Sequence, residues 1–401
     1  MNILVLNCGS SSIKFQLINM DDESVVAKGQ IERIGATDAI LKYKPVMVGK
    51  KNITQIREIQ DHNVAISLVI NTLLDKNNGV IQDKSDIDGI GHRIVHGGEE
   101  FVKSVLITEE VKEGVKRCIQ FAPLHNPHNI KGIEVCEEQL PGLPQVGVFD
   151  TAFHHTLPKK AHIYAIPWDF YKKDRIRRYG FHGTSHAYVA KKSAEYVNRP
   201  IEELKIITCH LGNGSSVTAV DGGKSVETSM GFTPLEGLVM GTRCGDIDPA
   251  LIVHIARLKN LPIAQVDALL NKKSGMFGLT KGKSDFRDIE DEAMAGNKRF
   301  ILALDIFCHR LKKYIGAYTA VLGGLDILVF TAGIGEKSAY CRNIILSGLD
   351  YLGINFDHEK NEHNEFDIGT GPTKVLVIPT NEELAIAQDA KKILEPLQVA
   401  I

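Results

Sequence analysis

Apolar residues along this chain switch between a period of two and a helical period, and that switching predicts mixed strands and helices throughout. Asn2–Leu6 is a short leucine and β-branched run that ends in the polar stretch Asn7-Cys8-Gly9-Ser10-Ser11-Ser12. Ile13, Phe15 and Leu17 then alternate with Lys14 and Gln16, as expected of a strand with one buried face. The segment reads as strand, tight turn, strand. Asn63–Lys76 and Arg299–Leu322 carry helical spacing. Leu325–Phe330 is a buried-strand run leading into Gly333-Ile334-Gly335-Glu336. A last helix is expected over Glu383–Leu394, stopping ahead of Pro396.

The pattern repeats. Sliding Ile3 onto Ile206 lays ILVLNCGSSS over IITCHLGNGS, so that Asn7 meets His210, Gly9 meets Gly212 and Ser12 meets Ser215. Asp221-Gly222-Gly223 closes the second copy as a hairpin. Turn glycine and serine falling in register about half a chain apart favour a duplicated unit. The expected picture is two similar α/β lobes facing a cleft, each offering it a phosphate-facing turn. No proline-serine linker separates them, so the hinge is placed near Asp150: one lobe is 1–150, the other 151–383, and the helix 384–401 is expected to pack back on the first.

Composition narrows the function. With 401 residues, 43% hydrophobic and 24% charged, the chain has ordinary globular proportions. A net charge of -2 lacks the lysine and arginine surplus that bulk nucleic-acid binding needs, so no nucleic-acid partner is expected. Seven scattered cysteines without a CxxC pair suit free thiols in a reducing cytosol rather than a disulfide framework or zinc ribbon. The amino terminus lacks a basic signal-like region, and no run approaches the ~20 apolar residues of a membrane span. A soluble cytoplasmic protein without membrane association is expected.

Three loops could cradle phosphate: Asn7–Lys14, His210–Ser216 and Thr331–Lys337. Glycine-serine turns expose backbone N–H groups and hydroxyls, and Lys14 adds charge. A P-loop is disfavoured, because Gly282-Lys283-Ser284 has Phe277 where the upstream glycine belongs. Arginine and histidine gather in glycine- or proline-containing segments: GHRIVHGG from Gly91, LHNP from Leu124, FDTAFH from Phe149, RYGFHGTSH from Arg178 and GTRCGD from Gly241. Such segments suit cleft-lining loops where backbone approaches a ligand closely. No HExxH or His-x-His pattern marks a zinc centre, and His92, His96, His128, His154 and His186 are expected to be satisfied loop histidines.

Together NCGSSSIKF, GHRIVHGG, FAPLHNP, VFDTAFH, RRYGFHGTSH, CHLGNGSS, TSMGFTPLEGLVMGTRCGDIDP and IPTNEELAIA resemble the motifs of the acetate kinases, the acetokinase family, from Asn2 to Gln388. That family belongs with sugar kinases, heat-shock chaperone ATPases and actin. The resemblance implies a two-lobed actin-like ATPase fold built from a duplicated ribonuclease H-like unit. It implies reversible transfer of the ATP γ-phosphoryl to acetate, giving acetyl phosphate and ADP, in a homodimer. Asn7 and Glu382 would hold Mg2+, with Mn2+ as a substitute. Arg93 would orient the acceptor carboxylate, and Arg243, His182 and His125 would stabilise the transferring phosphoryl. Val95, Leu124, Phe181 and Pro234 would surround the acceptor methyl. Ser10, Ser12 and Lys14 would steer the terminal phosphates. His210, Leu211, Gly212, Asn213, Gly214, Asp285, Phe286, Arg287, Gly333, Ile334, Gly335, Glu336 and Lys337 would contact the nucleotide. Departures are few: Ala332, Lys337 and Cys244 stand where glycine, asparagine and serine are more usual.

The family's acid/base residue falls on Asp150. The acceptor carboxylate, with a pKa near ~4, is already ionised at neutral pH, so no proton needs removing. Asp150 is therefore expected to orient Arg93 or Arg243. The rival readings are a propionate or butyrate kinase and, in another class, a nucleotide-operated interaction protein like actin or the chaperone ATPases.

Overall fold

The computed structural model describes residues 1–398 and divides the chain into two compact bodies, Met1–Ala152 with the segment from Asn381 onward, and Phe153–Thr380. The helix expected over 384–401 thus reaches, at Val399–Ile401, outside the described residues.

The first body holds an eight-stranded sheet: β1 (Asn2–Cys8), β2 (Ser12–Asn19), β3 (Ser24–Glu32), β4 (Ala39–Pro45), β5 (Ile53–Arg57), β6 (Gly89–Ile94), β7 (Val105–Leu106) and β8 (Gln145–Phe149). Their order is β5-β4-β3-β2-β1-β6-β8-β7. The β1–β5 run is an antiparallel meander, while β1, β6 and β8 are parallel. Leu4, Leu6, Phe15 and Leu17 bury one face against Ile66, Val69 and Ile70 of the helix His62–Leu73. Asp61 caps that helix by accepting the Val64 N–H at 2.9 Å. The carboxy-terminal helix Glu382–Gln398 lies on β1, β6 and β8. It comes so close that a Cβ on Gly91 would stand 2.7 Å from Ile386, so glycine is required there. The helix does not stop ahead of Pro396 but carries it inside its last turn.

The second body holds a five-stranded sheet: β9 (Lys205–Leu211), β10 (Ser215–Asp221), β11 (Lys224–Thr228), β12 (Ile327–Thr331) and β13 (Lys374–Val377). Their order is β11-β10-β9-β12-β13. Gly222 and Gly223 both have positive φ (56° and 77°), the primed turn that a two-residue hairpin needs. The helix Lys298–Leu322 buries Phe300, Leu304, Phe307, Leu311 and Ile315 in this body's core.

The duplication is visible strand by strand. β3-β2-β1-β6-β8 and β11-β10-β9-β12-β13 share one order and one pattern of antiparallel and parallel neighbours. Asn7 pairs across its hairpin with Lys14, as His210 does with Ser216. This is the duplicated ribonuclease H-like unit of the actin-like ATPase fold.

Candidate active site

Parallel strands place their carboxyl-terminal ends side by side, and such ends are where α/β proteins bind ligands. In the first body β1, β6 and β8 bring Asn7, Arg93 and Asp150 to this edge. Asp150 follows β8 directly, and its N–H donates to the Ile94 carbonyl at 3.0 Å. Its carboxylate is 2% exposed and accepts from Arg93 twice, from Nε at 3.0 Å and from Nη2 at 2.7 Å. Glu382, at the start of the carboxy-terminal helix, stands 4.0 Å from Arg93 Nε. Burial pulls the Arg93 guanidinium down, but Asp150 and Glu382 outweigh it and hold it above its usual range. Burial raises the Glu382 carboxyl, with Arg93 opposing and Asp150 adding to the rise.

Two asparagines given no role in the sequence reading hold this edge together. Asn129 Oδ1 accepts the Val95 N–H at 3.1 Å while its Nδ2 donates to the Cys8 carbonyl at 2.9 Å. Asn126 exchanges hydrogen bonds with the His96 backbone, at 3.2 and 2.9 Å. Both lie on the helix Asn126–Gln139, so HNPHN was the signal available for them. Val95 is buried, whereas Leu124 is 61% exposed and His125 is the residue that opens the helix. In the β1–β2 turn Gly9 donates its N–H to the Ser12 carbonyl at 2.8 Å, while Ser10 and Lys14 are exposed.

The second body gathers its own set. His182 precedes the helix Gly183–Val197 with φ +56°, a left-handed conformation that costs a non-glycine residue about 1 kcal/mol or more. Its ring stacks on His210, centroids 4.2 Å apart. A Cβ on Gly214 would lie 3.5 Å from both the His182 ring and Arg243 Nη1, which places the three residues together. Arg243 donates to the Pro234 carbonyl at 3.2 Å and forms no ion pair among the described residues. Burial lowers its pKa. Here the two arginines part. Arg93 is paired with Asp150 through Nε and Nη2, while Arg243 is a half-buried cation without a counter-ion among the described residues.

A cavity of about 540 Å³ adjoins them, lined by Gly212, Asn213, Asp285, Phe286, Arg287, Gly333, Ile334 and Lys337 among the expected nucleotide contacts. Ser284, Glu290 and Ser338 also line it, and Glu290 accepts from the Ser338 hydroxyl. Asp285 caps the helix Phe286–Met294 and pairs with Arg287. Glu336 turns elsewhere, accepting the Thr380 N–H at 3.1 Å, and Leu211 is fully buried in the core. Gly335 offers its carbonyl to the buried Arg342 at 2.8 Å. Phe181 is buried and Pro234 half-buried in this body.

His92, His154 and His186 find hydrogen-bond partners for their rings, but the histidines do not all sit in loops. His92 is on β6 against Gln145, and His186 is inside a helix between Thr208 and Ser216.

The acetokinase family model matches residues 2–388. The acetate kinases of Alkaliphilus metalliredigens and Halothermothrix orenii are each 55% identical to the chain, over 98% of it and all of theirs. Among solved structures, Porphyromonas gingivalis acetate kinase superposes with a TM-score of 0.94 at 43% identity, covering 98% of this chain and 99% of its own. A propionate kinase from Francisella tularensis superposes with 0.92 at 42% identity over the same shares. The chain belongs to the acetokinase family.

Proposed function

We propose that the chain transfers the γ-phosphoryl of ATP reversibly to acetate, forming acetyl phosphate and ADP. The observation that carries this reading is Arg243: a half-buried guanidinium beside His182 and the Gly212–Gly214 turn, with no carboxylate partner among the described residues. A site that keeps a cation unpaired is set up for an arriving anion, here the transferring phosphoryl. The acceptor carboxylate is assigned to Arg93, whose remaining donor capacity is aimed by the bidentate Asp150. Asp150 is thus a positioning group, and no proton has to leave an acceptor that is already ionised. Catalysis rests on orientation and fixed charge. In this reading the first body, 1–150 with the helix 384–401, serves the acceptor, and 151–383 serves the nucleotide.

Magnesium fits the residues present. Glu382 is a carboxyl whose pKa burial has raised, at the same strand edge as the Asn7 amide, and a dication would favour its ionised form. Asn7 and Glu382 would hold Mg2+ or Mn2+ with water completing the oxygen shell, and such an ion neutralises charge on the phosphate oxygens. A second copy is the proposed partner. The helix Ala250–Lys259 buries none of its residues and exposes Leu251, Val253 and Leu258. No helix among the described residues is long and apolar enough to cross a membrane. All seven cysteines are thiols, which supports a cytoplasmic setting.

The test is acyl phosphate formation from Mg-ATP with acetate, propionate or butyrate as sole acceptor. Acetate should give the highest kcat/KM. A preference for propionate or butyrate would move the assignment within the family. ATP turnover indifferent to any carboxylate would favour an actin-like interaction protein.

A further inference from the structure

Three buried side chains behind His182 form a chain of hydrogen bonds with one consistent direction. His182 Nδ1 lies 2.9 Å from Ser216 Oγ. The same oxygen lies 2.7 Å from His186 Nε2, and His186 Nδ1 lies 2.7 Å from Thr208 Oγ1. Ser216, His186 and Thr208 are each fully buried. Ser216 has one proton and sits between two ring nitrogens, so it must donate to one and accept from the other. Geometry at Ser216 alone leaves both directions open. Thr208 settles the choice. Its hydroxyl has one protein partner among the described residues, His186 Nδ1, and a buried hydroxyl proton without an acceptor costs about 1–3 kcal/mol. Thr208 therefore donates to His186 Nδ1.

The remaining bonds follow. His186 is neutral, because burial, with His154 and His210 adding to it, holds its pKa well below the ordinary imidazole value. With Nδ1 accepting, its proton is on Nε2 and is donated to Ser216 Oγ. Ser216 then donates to His182 Nδ1. A His182 whose Nδ1 accepts carries its proton on Nε2, on the ring edge close to Gly214.

We propose that Thr208, His186 and Ser216 are positioning residues that fix His182 as the Nε2–H tautomer, so that it presents a neutral N–H donor on the Arg243 side. Protonating His182 on Nδ1 would reverse all three hydrogen bonds and strand the Thr208 proton, so the relay also keeps the ring neutral. The strained backbone at His182 fits this role, since a residue at φ +56° is held where the surrounding bonds demand it. Its consequence for rate rests on the reading that His182 touches the transferring phosphoryl. The tautomer itself needs no substrate, so it succeeds or fails separately.

The experiment is nitrogen NMR on full-length protein carrying 15N-histidine, with His182 signals assigned by their loss in His182→Gln. The expected result is a protonated Nε2 and an unprotonated Nδ1 from pH 6 to 8. Thr208→Val removes the donor while keeping the shape, and should release His182 into a tautomer mixture and lower kcat on the order of tenfold. The KM for ATP should change little, and Thr208→Ser should restore both readouts. Ser216→Ala should give a larger kcat loss and a pH–rate profile with a new acidic limb as the freed ring titrates. A His182 protonated on Nδ1 in the unmutated protein overturns the proposal, whether or not the variants fold. So does a Thr208→Val protein whose His182 tautomer is unchanged. A relay that stands alongside an inactive unmutated enzyme would instead overturn the function assigned above.

Discussion

Arg93→Met and Arg243→Met should separate two arginines that look alike in sequence. Methionine keeps the unbranched stem and removes the charge. At position 93 it strands Asp150, a carboxylate with 2% of its side chain exposed that accepts two bonds from this guanidinium. Breaking a buried pair from one side costs about 3–5 kcal/mol. Arg93 is itself about one-fifth exposed, so the low end applies, about 3 kcal/mol. For a body of this size, ~1 kcal/mol moves the midpoint by about 2–4 °C, giving a fall of roughly 6–12 °C. At position 243 the balance differs. The bond to the Pro234 carbonyl, worth about 1 kcal/mol, and a long contact to Met240 Sδ are lost, but the burial penalty on an unpartnered cation is relieved. These nearly cancel, and Tm should stay within about 2 °C. Activity runs the other way: Arg243→Met should lose about 10²–10³-fold in kcat at near-native stability. Circular-dichroism melts and a coupled ADP-release assay on both variants suffice. Equal drops in Tm, or an Arg243→Met enzyme with native kcat, would refute the assignment of Arg243 as a cation held open for the phosphoryl.

Ala332 adopts φ +64°, so Ala332→Gly should relieve about 1–2 kcal/mol of strain, less about 0.4–1 for glycine's freer unfolded chain. Urea unfolding should show a net gain, and a loss would mean the methyl contacts outweigh the strain. His92 and His154 are held neutral by burial with pKa values of about 4, one in each body. Their folded pKa lies below the unfolded value near ~6.5, so the unfolded chain binds more protons and stability is lost as pH falls between those limits. Urea unfolding at pH 7.5 and pH 5 should differ by about 2 kcal/mol per histidine, and a flat response would count against neutral burial. Val95→Ala should shift kcat/KM toward propionate within the roughly 10–200-fold span that one methylene commands, leaving the KM for ATP almost unchanged. Glu382→Gln should raise the Mg2+ concentration needed for half-maximal rate, and an unchanged requirement would remove Glu382 from the metal site.

The fold was legible because its signals are local and repeated. Ile3–Ser12 and Ile206–Ser215 each encode strand, glycine turn and strand return within ten residues, and the two sheets carry these hairpins at matching places. Candidate site residues next to glycine could be nominated for the same reason, and Gly212 and Gly333 do line one cavity of the second body. What stayed hidden depends on partners far along the chain. Asn129 joins the end of β1 to Val95 through bonds spanning 121 and 34 residues, and no spacing rule reports such a tie. Glu336 sits in a phosphate-like motif, yet its carboxylate is committed to Thr380, 44 residues away. The two arginines make the point most sharply. GHRIVHGG and GTRCGD read alike, as a guanidinium among glycines, and only the placement of Asp150 beside one of them divides a paired cation from an unpaired one. Charge pairing is a three-dimensional property. A sequence can nominate cations for an anionic site, but which of them arrives already neutralised, and so which can add stabilisation as charge develops, is decided by the fold that brings the carboxylates in.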